Sequence, residues 1–451
     1  MLEESQLTLV STPGSQHRPG DDSPCTPESQ IALASVAGAR HRPGDGLPCA
    51  SESAGANAVA PAECAGPPRV ELAATPSNFA ALRAEWGALH ERSDGALFLA
   101  WEWLYPWWRR IAPERELRLL LAREPDGRLS GLLPLSVETP RVFGGRIRRW
   151  AFLGETHVGS DGLDALVERG REEELSRLFA SELKAREAAW DVLELTDLEA
   201  GSPLVTALRD AFGATHAVEQ WDRHLCPFEV FHPGETFDAF LRRTGRRDNF
   251  LRRRKWLAAQ PGFRLERSER PGELAVPMGE LLRLHAARWA ADGGSQGIRG
   301  PATEAFHRDA TEWLAERGKA RLYTMWVGGK AVASVYGLLH RGEFIYFQSG
   351  YDPEWRNRSV GLVLVGETFR DALEGGLRGY DFLRGTETYK SDWTTRVRRT
   401  VAVRIHRTRG PGARWRLRQE GGRAARNAIK GVLPERWVEQ VRRRRRAAAQ
   451  R

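Results

Sequence analysis

Arg356-Asn357-Arg358-Ser359-Val360-Gly361 stands between three strand-like stretches and a helix-like one, and the reading of the fold turns on it. Upstream, residues 321–327, 331–340 and 343–350 are rich in apolar residues and meet at Gly328-Gly329 and Arg341-Gly342. Glycine pairs of this kind make hairpin turns, so three antiparallel strands are expected. Downstream, 361–374 has the apolar spacing of a helix, and 380–383 is a further strand after a glycine-rich turn. A loop that enters a helix presents unpaired backbone N–H groups, and the helix dipole makes them attractive to anions. Gly361 lets a phosphate approach the backbone closely. Arg356, Ser359, Val360, Gly361 and Leu362 are therefore candidates to cradle an anionic group such as a phosphate.

Working outward, Met278, Leu282, His285 and Trp289 form one helical stripe that stops at Gly293-Gly294, and Phe306, Ala310, Trp313 and Leu314 form another that stops at Gly318. Residues 237–257 are helical and strongly basic, and a last strand falls near 397–405. Before residue 231 there is a second α/β stretch. Phe79, Leu82, Trp86 and Leu89 lie at helical spacing, and 98–108 is an aromatic helix containing Pro106. Strands are expected at 117–123, 129–137, 148–153 and 192–195, with helices over 168–186 and from Ser202-Pro203.

The 451 residues carry 68 Lys+Arg against 59 Asp+Glu, a net charge of +9. That sum hides a strong asymmetry. Residues 1–70 hold four arginines against eight acids. Residues 396–451 hold eighteen arginines and one lysine against three acids, which leaves the stretch between them slightly acidic. An apolar fraction of 41% is enough for a sizeable core. No apolar run is long enough to cross a bilayer as a helix, and no secretory signal pattern opens the chain. Four cysteines make no disulfide framework, and no CxxC or HExxH spacing suggests a metal. The segment His17-Arg18-Pro19-Gly20-Asp21 recurs as His41-Arg42-Pro43-Gly44-Asp45 in a region with no aromatic residue before Phe79, which reads as a disordered low-complexity leader. Four segments result: the leader 1–70, an α/β half 71–230, a second half 231–408 and a basic amphipathic tail 409–451.

The second half also contains Tyr380-Asp381-Phe382-Leu383-Arg384-Gly385-Thr386-Glu387-Thr388-Tyr389-Lys390-Ser391-Asp392-Trp393. Together with Arg288-Trp289, Gly328-Gly329-Lys330, Ser349-Gly350-Tyr351-Asp352 and Ser359-Val360-Gly361, this series resembles the GNAT superfamily of acyltransferases, in particular the CelD type associated with cellulose biosynthesis. The resemblance spans roughly residues 80–405, and its most specific block is DFLRGxExYKxxW. The order helix, helix, three antiparallel strands, loop, helix, strand is that of a GNAT core. In the phosphate loop, Ser359 replaces a glycine and Val360 stands where many relatives have proline. The resemblance implies an α/β (α+β) fold of tandem GNAT-like halves, related in architecture to the Fem-type peptidyltransferases. It also implies acetyl-CoA or another acyl-CoA as co-substrate, with no metal.

Acyl transfer to an amine or hydroxyl needs a base for the acceptor proton and a donor for the leaving thiolate. Glu387 and Asp381 are candidate bases, and Tyr389 is a candidate acid or a core residue. Lys390 is a candidate for phosphate or oxyanion binding, or a partner of Asp392. Arg384 is a candidate to hold an anionic group, and Tyr351 and Trp393 line the cleft or pack the core. His285 reads as a core histidine and Cys226 has no activating partner. The expected protein is a cytoplasmic acyltransferase of polysaccharide or cell-envelope metabolism, acting on an acceptor such as a polysaccharide precursor. Its tail has the composition of an amphipathic helix on an anionic inner membrane face, whereas no RNA-stacking module is visible. A Fem-like transferase using aminoacyl-tRNA and a non-catalytic membrane- or RNA-associated scaffold are the alternatives.

Overall fold

Among the described residues of a computed structural model, two strand pairs run parallel, one in each half, and the rest of the sheet is arranged around them. The structure describes residues 66–432 except 156–157, 291–296 and 299, with side chains as far as Gly421. All of this belongs to the unit Glu63–Arg451. Residues 1–65 of the leader, the Gly293-Gly294 stop and the arginine run at 442–446 lie outside the described residues.

The first half runs β1 (Arg69–Ala73), α1 (Pro76–Ala81), α2 (Arg83–Arg92), α3 (Trp101–Ile111), β2 (Glu116–Arg123), β3 (Leu129–Glu138) and a small hairpin of β4 (Arg141–Val142) and β5 (Gly145–Arg146). It continues through β6 (Arg149–Phe152), β7 (Leu166–Val167), α4 (Glu172–Ala185), β8 (Val192–Glu199), α5 (Pro203–Phe212) and β9 (Ala217–Val230). The second half runs α6 (Phe237–Arg243), α7 (Arg247–Ala258), β10 (Arg264–Ser268), α8 (Ala275–Ala290), α9 (Pro301–Glu316), β11 (Ala320–Val327), β12 (Lys330–His340) and β13 (Glu343–Tyr351). After these come α10 (Val360–Glu374), β14 (Gly379–Asp381), α11 (Thr388–Ser391), β15 (Arg396–His406) and α12 (Pro411–Val432).

Thirteen strands form one sheet in the order β1-β2-β3-β6-β8-β15-β9-β14-β13-β12-β11-β10, with β7 beside β3. In each half a helix crosses over between the parallel strands: α4 joins β6 to β8, and α10 joins β13 to β14. The two central strands are exchanged. β9, which leaves the first half, pairs with β14 of the second, while β15, which leaves the second, pairs with β8 of the first. β9 and β15 then pair with each other over eleven residues of β15.

The helices follow the local chemistry. Thr75, Ser202 and Thr236 cap α1, α5 and α6 by accepting backbone N–H bonds. The basic helix expected over 237–257 is two helices, because the chain turns at Gly245 with a φ of +67°. Two cores result. One lies under α6, α7 and α10 and contains Phe240, Phe250, Phe369, Tyr380 and Trp393. The other runs from the first half into the opposite face of the second-half sheet and includes Trp103, Phe306, Tyr336 and Ile345. Trp103 of α3 meets Phe306 of α9 edge-on at 4.8 Å, and Trp101 stacks on Trp313 at 5.4 Å, so an aromatic seam joins the halves. Among the described residues no helix is long and apolar enough to cross a membrane.

The start of the basic tail is packed against the fold. Trp415 of α12 is buried with Val142, Ile147 and Val192, and its indole donates to Glu194 at 3.2 Å. Glu194 also accepts from Arg404 at 2.9 Å and lies near Arg149, which is held by Glu155 at 2.6 and 2.7 Å. Burial would raise the Glu194 pKa, but the Arg149 and Arg404 charges overcome it and hold the carboxyl at about 2. A carboxyl depressed in this way stabilises the fold above its ordinary value near 4.5 and loses that contribution as pH falls towards 2. The amount at neutral pH is on the order of 3 kcal/mol. Urea unfolding at pH 7 and pH 3 should therefore show a loss of stability that Glu194→Gln reduces by about 2 kcal/mol, since part of the contribution persists until the pH falls below 2. A variant with the full wild-type acid dependence would exclude this network as the source.

Candidate functional site

The parallel pair of the second half comes apart. β13 and β14 are in register only over 343–345 and 379–381. From residue 346 to 351 the edge of β13 on that side carries no strand among the described residues, so its backbone groups face a gap. A bulge at Phe347, where the register with β12 slips between Tyr336 and Gly337, bends the strand as the gap opens. The N-terminus of α10 borders the same gap. The first helical bond there is Val363 N–H to Ser359 O at 3.1 Å, so the N–H groups of Val360, Gly361 and Leu362 have no partner inside the helix.

A cavity of about 260 Å³ occupies this place. Arg356, Ser359, Val360, Gly361 and Leu362 line it, as do Tyr351, Tyr389 and Trp393. The structure thus brings the five candidates of the loop together with Tyr351, Tyr389 and Trp393. Ser359 has a φ of +58° and a ψ of +30°, a conformation that favours glycine and costs another residue roughly 1 kcal/mol. It is the position where the family pattern has glycine. A Cβ on Gly361 would meet nothing within 4 Å, so the space above this residue is open. Trp393 is buried, and its ring stacks on Phe369 at 5.1 Å.

Sequence reasoning passed over Arg288, Tyr346 and Ser349 as site residues. Arg288 of α8 reaches the cavity, donates to the Ser349 hydroxyl at 3.1 Å and lies 5.2 Å from the Tyr351 ring centre. Tyr346 faces the cavity beside Tyr389, with ring centres 6.3 Å apart. Burial, followed by the neighbouring Tyr346, pushes the Tyr389 phenol well above its ordinary pKa, so it keeps its proton at neutral pH. The signal for Tyr346 was present only as strand alternation, which marks a face without naming what covers it.

Four candidates lie outside this cavity. Asp381 is buried at the end of β14, accepts the Leu383 N–H at 2.8 Å and pairs with Arg398. Burial raises its carboxyl to about 6 against the pull of that guanidinium. The backbone N–H of Arg384 donates to Asp161 at 2.7 Å, and its guanidinium also holds Asp161 and donates to the Ser160 carbonyl. The anion that Arg384 binds in the structure is therefore a first-half carboxylate. Lys390 is buried, donates to the Arg384 carbonyl at 2.6 Å and lies 3.0 Å from Glu387, whose side chain is half exposed. Lys390 pairs with Glu387, and Asp392 instead pairs with Arg246. Gly385 before them has a φ of +120°, a left-handed conformation that favours glycine. The 381–393 block is an anchored loop that presents Tyr389 and Trp393 to the cavity.

The corresponding gap in the first half is filled. β6 and β8 are paired at only two positions, Arg149 with Val192 and Trp150 with Leu193. Leu163 then enters beside β8, donating its N–H to the Asp197 carbonyl at 3.1 Å. The first turn of α4 carries Glu172, Glu173 and Glu174, which oppose an anion at that helix end. Among the described residues no group of three or more His, Cys, Asp or Glu is placed to hold a metal ion.

Residues 244–391 match the family model described as an acetyltransferase (GNAT) domain. The crystal structure of FemX superposes with a TM-score of 0.51 at 13% identity, covering 72% of this chain and 96% of that one. The C-terminal DUF2156 domain of a putative lysylphosphatidylglycerol synthetase from Agrobacterium fabrum superposes at 0.48 and 11% identity, over 75% and 95%. A tandem GNAT protein from the clavulanic acid biosynthesis pathway superposes at 0.41 and 17% identity, over 76% and 99%. No curated protein matches the sequence. Residues 244–391 are thus similar to a GNAT acetyltransferase domain, and the mixed α/β fold is shared with FemX.

The Asp161–Arg384 pair can be tested directly. Asp161→Ala leaves a largely buried guanidinium short of its main partner and should cost about 3 kcal/mol of stability. The double variant Asp161→Ala/Arg384→Met should recover part of that loss in urea unfolding. A double variant whose loss equals the sum of the Asp161→Ala and Arg384→Met losses would mean that the pair is not coupled.

Proposed function

We propose that the second half binds an acyl-CoA, with acetyl-CoA as the donor to test first, and transfers its acyl group to an amine or hydroxyl acceptor. The observation that carries this reading is the opened β13–β14 edge with the free N–H groups of α10 beside it. A pantetheine chain is rich in amide groups and can continue the hydrogen bonding of an open strand edge. A pyrophosphate fits the N-terminus of α10, with Arg356 supplying positive charge.

The transfer is a direct displacement. The acceptor lone pair forms the new bond to the acyl carbon, the C–S bond breaks, and coenzyme A leaves as its thiolate. Tyr389 is assigned as the acid that gives this thiolate a proton, since its phenol stays protonated and faces the cavity. Asp381 and Glu387 remain the candidate bases for the acceptor proton. Asp381 is buried with a carboxyl that loses its proton near pH 6, so a reaction that needs it ionised should speed up as pH rises through about 6. We assign the acceptor to polysaccharide or envelope metabolism on the DFLRGxExYKxxW block alone.

Calorimetric titration with acetyl-CoA tests the donor. Wild type should bind, and Gly361→Trp should bind at least tenfold more weakly, about 1.4 kcal/mol, with an unchanged unfolding midpoint. Wild type without affinity, or a tryptophan variant with full affinity, would overturn the reading. In a thiol-release assay Tyr389→Phe should lower kcat by roughly 100-fold with little change in KM. An unchanged kcat would remove Tyr389 as the acid.

One observation favours a second reading, an aminoacyl-tRNA donor. Arg252 and Lys255 are exposed on α7, and Arg358 of the loop before α10 stacks over Trp256 of the same helix at 4.7 Å, so a basic face adjoins the cavity mouth. Such a face suits a nucleic acid backbone. Transfer that requires charged tRNA and ignores acyl-CoA would decide for this donor.

A further inference from the structure

The small hairpin of the first half turns in two residues, Phe143-Gly144, since Val142 pairs with Gly145 and Arg141 with Arg146. Both turn residues have positive φ, +48° and +81°. Turns of this kind are normally made by Asn-Gly or Asp-Gly, whose first residue tolerates the left-handed region. Phenylalanine is disfavoured there, because its Cβ crowds the following carbonyl oxygen and it has no short polar group to bond locally in compensation. The fold gives the ring nothing in return. Phe143 is 70% exposed, whereas Val142 beside it is buried and packs with Trp415 of α12. An aromatic side chain that its backbone disfavours and that stands in water is explained by a contact outside the molecule.

The surroundings say what kind of surface it meets. Arg141 and Arg146 stand exposed on either side of the turn. The guanidinium of Arg414 lies against Gly145, 3.2 Å from where a Cβ would stand, and Arg418 donates to the Arg141 carbonyl at 3.3 Å. None of these arginines has a carboxylate partner among the described residues. Asp191 is engaged by Arg148 at 3.0 Å, and Glu420 by Arg416 at 2.7 Å. Trp415 ties α12 to the hairpin, so the apolar tip and the unpaired arginines form one surface. A second copy of this chain is a poor partner for it, since the same arginines would meet. Duplex RNA offers phosphates but no apolar layer for the ring. A bilayer with anionic headgroups offers both.

We propose that the tip of the β4–β5 hairpin and the first turns of α12 dock on an anionic lipid surface. The Phe143 ring enters below the headgroups, and Arg141, Arg146, Arg414 and Arg418 meet their phosphates. This is a fixed insertion point on the folded body, distinct from attraction of the basic tail by charge alone. None of its residues lines the cavity at α10, so docking leaves that cavity free.

Co-sedimentation of the full chain with vesicles tests this. Vesicles of equal parts phosphatidylglycerol and phosphatidylcholine should bind it more tightly than phosphatidylcholine alone, by about tenfold or more. Phe143→Asn puts in the turn a residue that its backbone favours, so it should unfold at the same or a higher urea concentration than wild type. It should nevertheless bind the anionic vesicles more weakly, by about tenfold or more. Arg141→Glu/Arg146→Glu should weaken binding at least as much, and acetyl-CoA affinity in both variants should equal that of wild type. No preference for the anionic vesicles would overturn the proposal. Full vesicle affinity in Phe143→Asn would also overturn it, since the tail would then bind by charge alone, and so would a lower urea midpoint in that variant, since the ring would then serve the fold. Tighter binding to double-stranded RNA than to vesicles, weakened by the same variants, would assign the surface to a nucleic acid instead.

Discussion

The contact between Asp161 and Arg384 sets the working geometry of the protein. Asp161 takes both the backbone N–H and the guanidinium of Arg384, and Arg384 in turn offers its carbonyl to Lys390. One first-half carboxylate thereby fixes the loop on which Tyr389 stands. Removing two charges from water is costly, and the pair is retained at a place where its geometry determines where a phenol sits in the neighbouring cavity. Asp197 stands behind it, buried and with a φ of +66°, 3.4 Å from the same guanidinium. Two of the non-glycine residues with positive φ, Asp197 and Leu383, stand at this junction.

The two halves share an architecture and differ in what they leave open. In the second, the strands part and the space stays empty of protein, while the crossover helix presents uncharged residues at its start. In the first, Leu163 enters beside β8 and three glutamates begin the crossover helix. The same backbone plan has thus been turned to two purposes. One half offers a cavity, and the other supplies a rigid wall and a carboxylate that reaches across.

Much of this was legible in the sequence where order is local. The β11–β12–β13 meander, the loop and α10 follow from apolar alternation, glycine pairs and helical spacing, and they appear within a residue or two of the expected ends. β9 was not visible. Its residues include Glu219, Asp222, Arg223 and His224, and such a stretch does not look like a central strand. It becomes one because partners from elsewhere match its polar groups: Arg404 pairs with Glu219, and Asp197 lies near Arg223 and His224. The roles within the 381–393 block were hidden for a similar reason. Arg384 and its partner lie 223 residues apart, and nothing in the motif distinguishes a side chain that faces a ligand from one that ties down the loop. The helix expected over 98–108 shows the opposite case, where local signals sufficed. It begins at Trp101 and tolerates Pro106, and its tryptophans bury against α9.

The exchange of β9 and β15 has a consequence for biosynthesis. A ribosome that has made the whole first half has still not made the strand that covers β8, because β15 begins at Arg396. During synthesis of roughly 200 further residues, at about 5–20 residues per second, that edge waits with its backbone groups unpaired. The nascent chain must be shielded for tens of seconds, and the sheet closes only near the end of translation. The two halves therefore cannot mature one after the other, and a break anywhere before Arg396 would leave both of them unfinished.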